Sequence, residues 1–163
     1  NDTLGKLEEY LKFQNYIGYV DLAFIIDDKG SPRPLEWTTR PGWPLFNIQS
    51  ALHKGDCLQW MCDLLEGKDT LKASNKIAAG HIVAIPDFPF TKSTGRDPSG
   101  FPIYGLDECG DDIHLCEVMM GKGPTYEDGK FKEEEMIVTA GDYILVTSGT
   151  GSTIKEACNK YKH

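Results

Sequence analysis

No stretch of this sequence approaches the roughly 20 consecutive apolar residues that a helix needs to cross a bilayer. The opening residues, Asn1 to Tyr10, have neither the basic cluster nor the apolar run of a secretory signal. Basic residues are few. Lys and Arg number 17 against 25 Asp and Glu, a formal net charge of -8, and no Lys/Arg cluster offsets that mean, so a phosphate backbone finds no electrostatic footprint and nucleic acid is not an expected partner. The five cysteines (Cys57, Cys62, Cys109, Cys116 and Cys158) are odd in number and contain no CxxC pair, which argues against a disulfide framework and against a zinc knuckle. A reduced, cytoplasmic setting is the expectation, with no membrane contact. Internal repeats and low-complexity tracts are missing as well.

What the sequence does contain is a globular composition. Its 163 residues, 40% hydrophobic and 26% charged, suffice for one ordinary core or two small ones. Leu4, Leu7 and Leu11 recur at helical spacing after Asp2 and Thr3, either of which suits the amino-terminal cap, and Gly18 is the expected stop. Tyr19 to Ile26 reads as a strand covered on both faces, with one internal charge. Asp27 to Gly30 makes the turn of a hairpin.

The returning strand, from about Pro34 to Arg40, carries the most informative pattern. Side chains alternate along a strand, so Glu36, Thr38 and Arg40 share one face while Leu35, Trp37 and Thr39 share the other. Two readings of that polar row stand side by side. It is either a solvated strand face with an internal ion pair, or a site in which Glu36 supplies a hard oxygen ligand to Mg²⁺ and Arg40 neutralises phosphate or carboxylate beside it. The Pro41 to Pro44 loop then breaks the strand before a helix from about Leu45 to His53.

Asp56 caps a second helix whose apolar stripe is expected at Leu58, Met61, Cys62 and Leu65, with Gly67 at its carboxy end. Residues 68–76 are polar and mark a boundary. Beyond them lie short strands at 81–86, 113–120, 136–140 and 142–148, a texture that predicts a small, mainly antiparallel sheet or partial barrel. Residues 87–110 are expected as a long surface loop, and Asp128-Gly129 as a hairpin turn. A last helix has Thr153 and Glu156 as a capping box, with Ile154, Ala157, Cys158 and Tyr161 as its buried stripe.

Other candidate chemistry reads as structural. The run from Ser148 to Thr153 precedes a helix, as anion sites do, but lacks the lysine of a P-loop and suits ordinary capping. The acidic run from Asp107 to Asp112 does not match an EF-hand and is expected as a solvated loop. His53, His81 and His114 lie far apart, and Cys62 and Cys158 are assigned to cores.

The segment from Gly18 to Pro44 resembles the end of the ATP-grasp domain of phosphoribosylamine–glycine ligases, whose hairpin returns through a strand reading roughly L-E-[FY]-N-x-R-F-G-D-P-E. The run from Leu35 to Leu45 keeps that pattern's Glu, Arg, Gly and second Pro. The stretch from Ile137 to Lys162 is similar to the carboxy-terminal signature of the same family, and the strand before Asp87 and the Asp128-Gly129 hairpin fall in the expected order.

The resemblance implies an α+β chain, with residues 1–70 the end of an ATP-grasp domain and 71–163 a small, mainly antiparallel partial-barrel domain. It implies an ATP-dependent ligase of purine synthesis that joins glycine to phosphoribosylamine through an acyl phosphate, with Mg²⁺ or Mn²⁺ as cofactor. By position, Glu36 and Thr38 are implied metal ligands, Arg40 a catalytic and substrate-binding residue, and Gly42 substrate-binding. Thr38 stands where an Asn is usual, and Trp43 and Leu45 replace two acidic residues. The nucleotide-clamping lysine and glycine-rich loop of such enzymes find no counterpart here, so the chain is expected to need an amino-terminal lobe and to be inactive alone. Two alternatives remain: a non-enzymatic domain that binds a small anion or a partner through residues 87–110, and part of another ATP-grasp carboxylate–amine ligase.

Overall fold

The structure, a computed structural model, describes residues 3–90 and 95–161. They form an α+β chain with antiparallel sheets. The chain divides into two compact units, one made of Asn1–Phe46 and His53–Ser74, the other of Asn47–Leu52 and Asn75–His163.

In the first unit, a 3₁₀ turn Leu4–Leu7 leads into helix α1, Glu8–Phe13. Thr3 makes no side-chain cap bond, and Asp2 lies outside the described residues. The helix does not run on to Gly18. It stops at Phe13, where the N–H groups of Gln14, Asn15 and Tyr16 close onto the carbonyls of Tyr10, Lys12 and Leu11, and Asn15 takes the left-handed backbone (φ 49°) that ends a helix.

Strand β1, Asp21–Ile26, pairs antiparallel with β2, Pro32–Thr38, around the expected turn. Asp27 builds that turn by accepting from the N–H groups of Lys29 and Ser31 and from the Arg33 guanidinium. These bonds hold the Asp27 carboxyl below the usual range, the Ser31 N–H contributing most. The expectation of a strand covered on both faces is corrected. Only Leu22 is buried on β1, while Phe24, Ile25 and Ile26 are exposed, because among the described residues this sheet has two strands.

Helix α2, Leu45–Ser50, falls where the chain passes from the first unit to the second. Helix α3, Cys57–Leu65, starts as its sequence dictates, with the Asp56 carboxylate accepting from the N–H groups of Leu58 and Gln59. Its inward stripe differs from the expected one. Cys57, Trp60, Met61 and Leu64 are partly buried, whereas Leu58 (72% exposed), Cys62 and Leu65 (73%) face outward. The stripe is rotated by about one residue because Trp60 is anchored inward, its ring against His53 and its indole N–H donating to Asp69. Cys62 is therefore not a core residue.

The second unit is built around one strand. β7, Tyr143–Gly151, lies between β3, Ile77–Ala84, and β4, Ile113–Leu115, antiparallel to both. The expected strand 113–120 is two elements, β4 and then β5, Val118–Glu127, which forms a long ribbon with β6, Lys130–Thr139. Asp128 and Gly129, both at positive φ (48° and 79°), make its two-residue turn. Residues 87–110 are not wholly a free loop. Gly100 and Ile103 donate to Thr139 and Ile137, Thr139 donates back to Phe101, and the buried Thr139 hydroxyl donates to Pro98, so 98–103 lines the edge of β6.

Most of this unit's core sits on β7: Tyr143, Ile144, Leu145 and Val146 are buried, with Val138 from β6 and Ala157 from the last helix. That helix, α4, Ile154–Lys160, packs on β7 and β3. Its capping box forms with a variation: Thr153 accepts from the Glu156 N–H as expected, and the Glu156 carboxylate accepts from Ser152. Ile154 is outside the buried stripe (67% exposed), Ala157 is fully buried, and Cys158 and Tyr161 are half-buried.

Candidate functional site

The polar row on β2 takes its geometry from the hairpin register. Asp21 is paired with Thr38 and Ala23 with Glu36. Directly paired residues share a face, so Asp21, Glu36 and Thr38 present their side chains on one side of the sheet. The alternation does not reach Arg40, because β2 ends at Thr38. Arg40 lies in the bend that follows, exposed, with its guanidinium Nη1 donating to the Pro41 carbonyl at 3.0 Å.

Thr38 is only partly exposed, and its hydroxyl oxygen is fully buried with no hydrogen-bond partner. A buried polar atom left so is costly. Glu36 is exposed on the same face.

Gly42 is buried, and the reason is Asp21. A methyl group added at Gly42 would run into the Asp21 carboxylate, meeting Oδ2 first. Glycine at this position lets the loop backbone lie against that carboxylate. Asp21 also acts on Tyr19, whose phenol is pushed above its ordinary range first by burial and then by the Asp21 negative charge. Sequence reasoning did not single out Asp21. It stood as one charge inside an apolar strand, and only the register places it opposite Thr38.

The other candidates stay apart. His81 stacks on Tyr161, His53 lies against Trp60, and His114 Nε2 is 3.2 Å from the Ser148 hydroxyl. Burial lowers the His114 pKa, with Asp112 opposing the shift. Ser148 is fully buried, which removes it as a nucleophile. The glycine-rich run is not a phosphate-cradling loop. Ser148 to Gly151 belong to β7, and side chains at Gly149 or Gly151 would collide with α4: a Cβ at Gly149 would lie 2.6 Å from the Ala157 carbonyl. The glycines let helix and strand approach closely. In the acidic run, Leu106–Glu108 and Gly110–Asp112 form two short 3₁₀ turns. Among the described residues, no group of three or more His, Cys, Asp or Glu is arranged to hold a metal ion, and no helix is long and apolar enough to cross a membrane.

No family model matches the chain. The phosphoribosylamine–glycine ligase of Salmonella typhimurium is 25% identical over 146 residues, which is 87% of this chain and 31% of that protein. The ligase of Escherichia coli O157:H7 is 27% identical over the same shares. The crystal structure of the Thermotoga maritima phosphoribosylamine–glycine ligase matches 99% of this chain and 39% of its own with a TM-score of 0.61, at 23% identity, which speaks for the fold. The chain spans about a third of the length of the curated relatives it matches. It is similar across most of its length to phosphoribosylamine–glycine ligases, and a carboxy-terminal piece of such an enzyme fits the match.

Proposed function

We propose that the chain is part of a phosphoribosylamine–glycine ligase and contributes the metal-holding hairpin to the joining of glycine and phosphoribosylamine at the cost of ATP. The observation that carries this reading is the run from Glu36 to Pro44, with its glutamate, arginine and glycine, inside a similarity that covers 87% of the chain. On this reading residues 1–70 are the end of an ATP-grasp domain and 71–163 a partial-barrel carboxy-terminal domain. ATP is the co-substrate and the setting cytoplasmic. The exposed apolar side chains of Phe24, Ile25, Ile26 and Leu35 suit a hairpin that an amino-terminal lobe of the same enzyme would cover.

The donor set fits a hard cation. Glu36 and the unpartnered Thr38 hydroxyl are oxygen donors on one face, and Mg²⁺ or Mn²⁺ takes one or two carboxylates and leaves its other positions to water and phosphate. Glu36 would hold the ion and Thr38 would be a weaker, neutral ligand. A bound divalent ion would neutralise charge developing on the transferred phosphoryl group. Arg40, exposed beside the row, has the geometry to clamp phosphate or carboxylate with two parallel bonds, and the Gly42 backbone borders the same loop.

The test is turnover against Mg²⁺ concentration in the complete enzyme. Glu36→Gln removes a full negative charge from a hard-cation site and lowers turnover strongly, with a raised Mg²⁺ requirement. Thr38→Ala costs little, since water replaces one neutral oxygen. Arg40→Lys is harmful, because an ammonium cannot make the two-pronged bond. Near-normal turnover and unchanged Mg²⁺ dependence in Glu36→Gln would reduce the row to a solvated strand face. The isolated chain is expected to release no ADP with glycine and phosphoribosylamine, since charge on a transferring phosphoryl needs groups from both lobes.

A further inference from the structure

We propose that Asp21 is a positioning residue for Arg40, acting through the peptide bond between Pro41 and Gly42; this rests on the reading of Glu36 and Arg40 as a metal and phosphate site. Three contacts meet around Gly42. The Arg40 guanidinium donates to the Pro41 carbonyl oxygen at 3.0 Å. The Asp21 carboxylate stands beside the Gly42 Cα, where only a glycine leaves room. Gly42 in turn offers its own carbonyl to the Phe46 N–H at 2.8 Å, tying the loop to the start of α2.

A peptide is a dipole of about 3.5 D, negative at the carbonyl oxygen and positive at the N–H. A carboxylate beside Gly42 favours the orientation that turns the carbonyl away from it. That carbonyl is the one holding the Arg40 guanidinium. Asp21 thus biases how the loop is set, and the loop carbonyl holds Arg40. The seat is specific to this pairing of residues, because a Cβ at position 42 would displace the carboxylate, and the pairing of Asp21 with Thr38 fixes where on the sheet the carboxylate stands.

Three roles for Asp21 predict different signs. If it acted only as a charge it would repel a phosphate ligand, and removing it would tighten phosphate binding. If it were a metal ligand, removing it would weaken binding of a divalent ion alone. A positioning residue leaves the ion alone unaffected and weakens phosphate binding, by the same route as loss of Arg40.

The experiment uses the full 163-residue chain and two probes, Mn²⁺ alone and inorganic triphosphate with Mg²⁺, read by NMR titration. Asp21→Ala and Arg40→Ala should each weaken triphosphate by about tenfold, the loss of one charge-assisted contact. The double variant should be no weaker than Arg40→Ala, since both act on one interaction. Mn²⁺ binding should be unchanged in Asp21→Ala and lost in Glu36→Gln. Asp21→Asn, which keeps the shape and a neutral oxygen, should fall between wild type and Asp21→Ala. Without any ligand, the Arg40 Nε–H resonance should move in Asp21→Asn while the melting temperature holds.

Unchanged or tighter triphosphate binding in Asp21→Ala, fully additive losses, or weakened Mn²⁺ alone would each overturn the positioning role while leaving the site reading intact. If instead Glu36→Gln spared Mn²⁺ and Arg40→Ala spared triphosphate, the site reading would fall. The ligand-free Arg40 resonance then decides the contact by itself: a shift upholds the link from Asp21 to Arg40, and none overturns it.

Discussion

The hairpin of the first unit and the sheet of the second solve the burial of apolar strands in opposite ways. β7 lies between two strands, carries α4 on it, and buries Tyr143 through Val146. β1 is no less apolar over Leu22 to Ile26, yet among the described residues it has one partner strand and buries only Leu22. A two-stranded sheet has too little surface to cover its own faces, so side-chain hydrophobicity alone does not place a residue in a core. The polar row lies on the hairpin, with the exposed Arg40 just beyond it, while the β7 sheet supplies most of the packing.

The largest effect expected from this contrast comes from truncating equivalent leucines. Leu145→Ala removes a side chain that is 6% exposed and should cost about 3 kcal/mol from the cavity and lost transfer energy. Leu35→Ala, at a position 64% exposed, should stay within about 0.5 kcal/mol. Denaturant unfolding of both variants measures the difference, and equal losses would break the comparison.

An intermediate effect is expected where helix meets strand. Gly149→Ala places a methyl 2.6 Å from the Ala157 carbonyl and 2.8 Å from the Lys160 side chain, so α4 must shift, at a cost of about 2 kcal/mol. Gly121→Ala would meet the Val138 side chain first, a neighbour that can rotate more readily than backbone can move. A smaller loss there than at Gly149, in melting temperature, would confirm that the helix contact is the tighter one.

The smallest effect concerns acid. Burial holds His114 below its ordinary value of 6.5, with Asp112 only partly opposing. A folded-state pKa below the unfolded one means that the unfolded chain binds the proton first, so the stability owed to neutral His114 is present above about pH 6.5 and declines as the pH falls toward the folded value. His114→Gln should flatten that slope slightly without changing stability at pH 8 by much. Melting curves between pH 5 and 8 check it; a steeper slope in the variant would contradict the sign.

What could be read from the sequence was local. The Asp56 cap, the Asp27 to Gly30 turn, the Asp128-Gly129 hairpin and the Thr153 cap each depend on residues within a few positions of one another, and each formed. The stripe of α3 went astray because Trp60 is held by Asp69 and His53, partners that helical spacing cannot reveal. The glycines after Ser148 read as capping residues because their reason, the close approach of α4, lies on another element. At the site, Glu36 and Thr38 were legible from alternation, but Arg40 was placed on a strand that stops two residues earlier. Asp21 needed the register, since nothing in its own neighbourhood distinguishes it from a tolerated strand charge.

The strand order of the second unit also bears on how the chain is made. β7 is central in space but follows β3 and β4 in sequence, so on the ribosome both outer strands emerge before the strand that joins them. At about 5–20 residues per second they wait for seconds with their apolar sides uncovered. The β5–β6 ribbon, whose strands meet across a two-residue turn, can close in microseconds by comparison. During synthesis, then, the ribbon would stand formed while its neighbours are still unpaired.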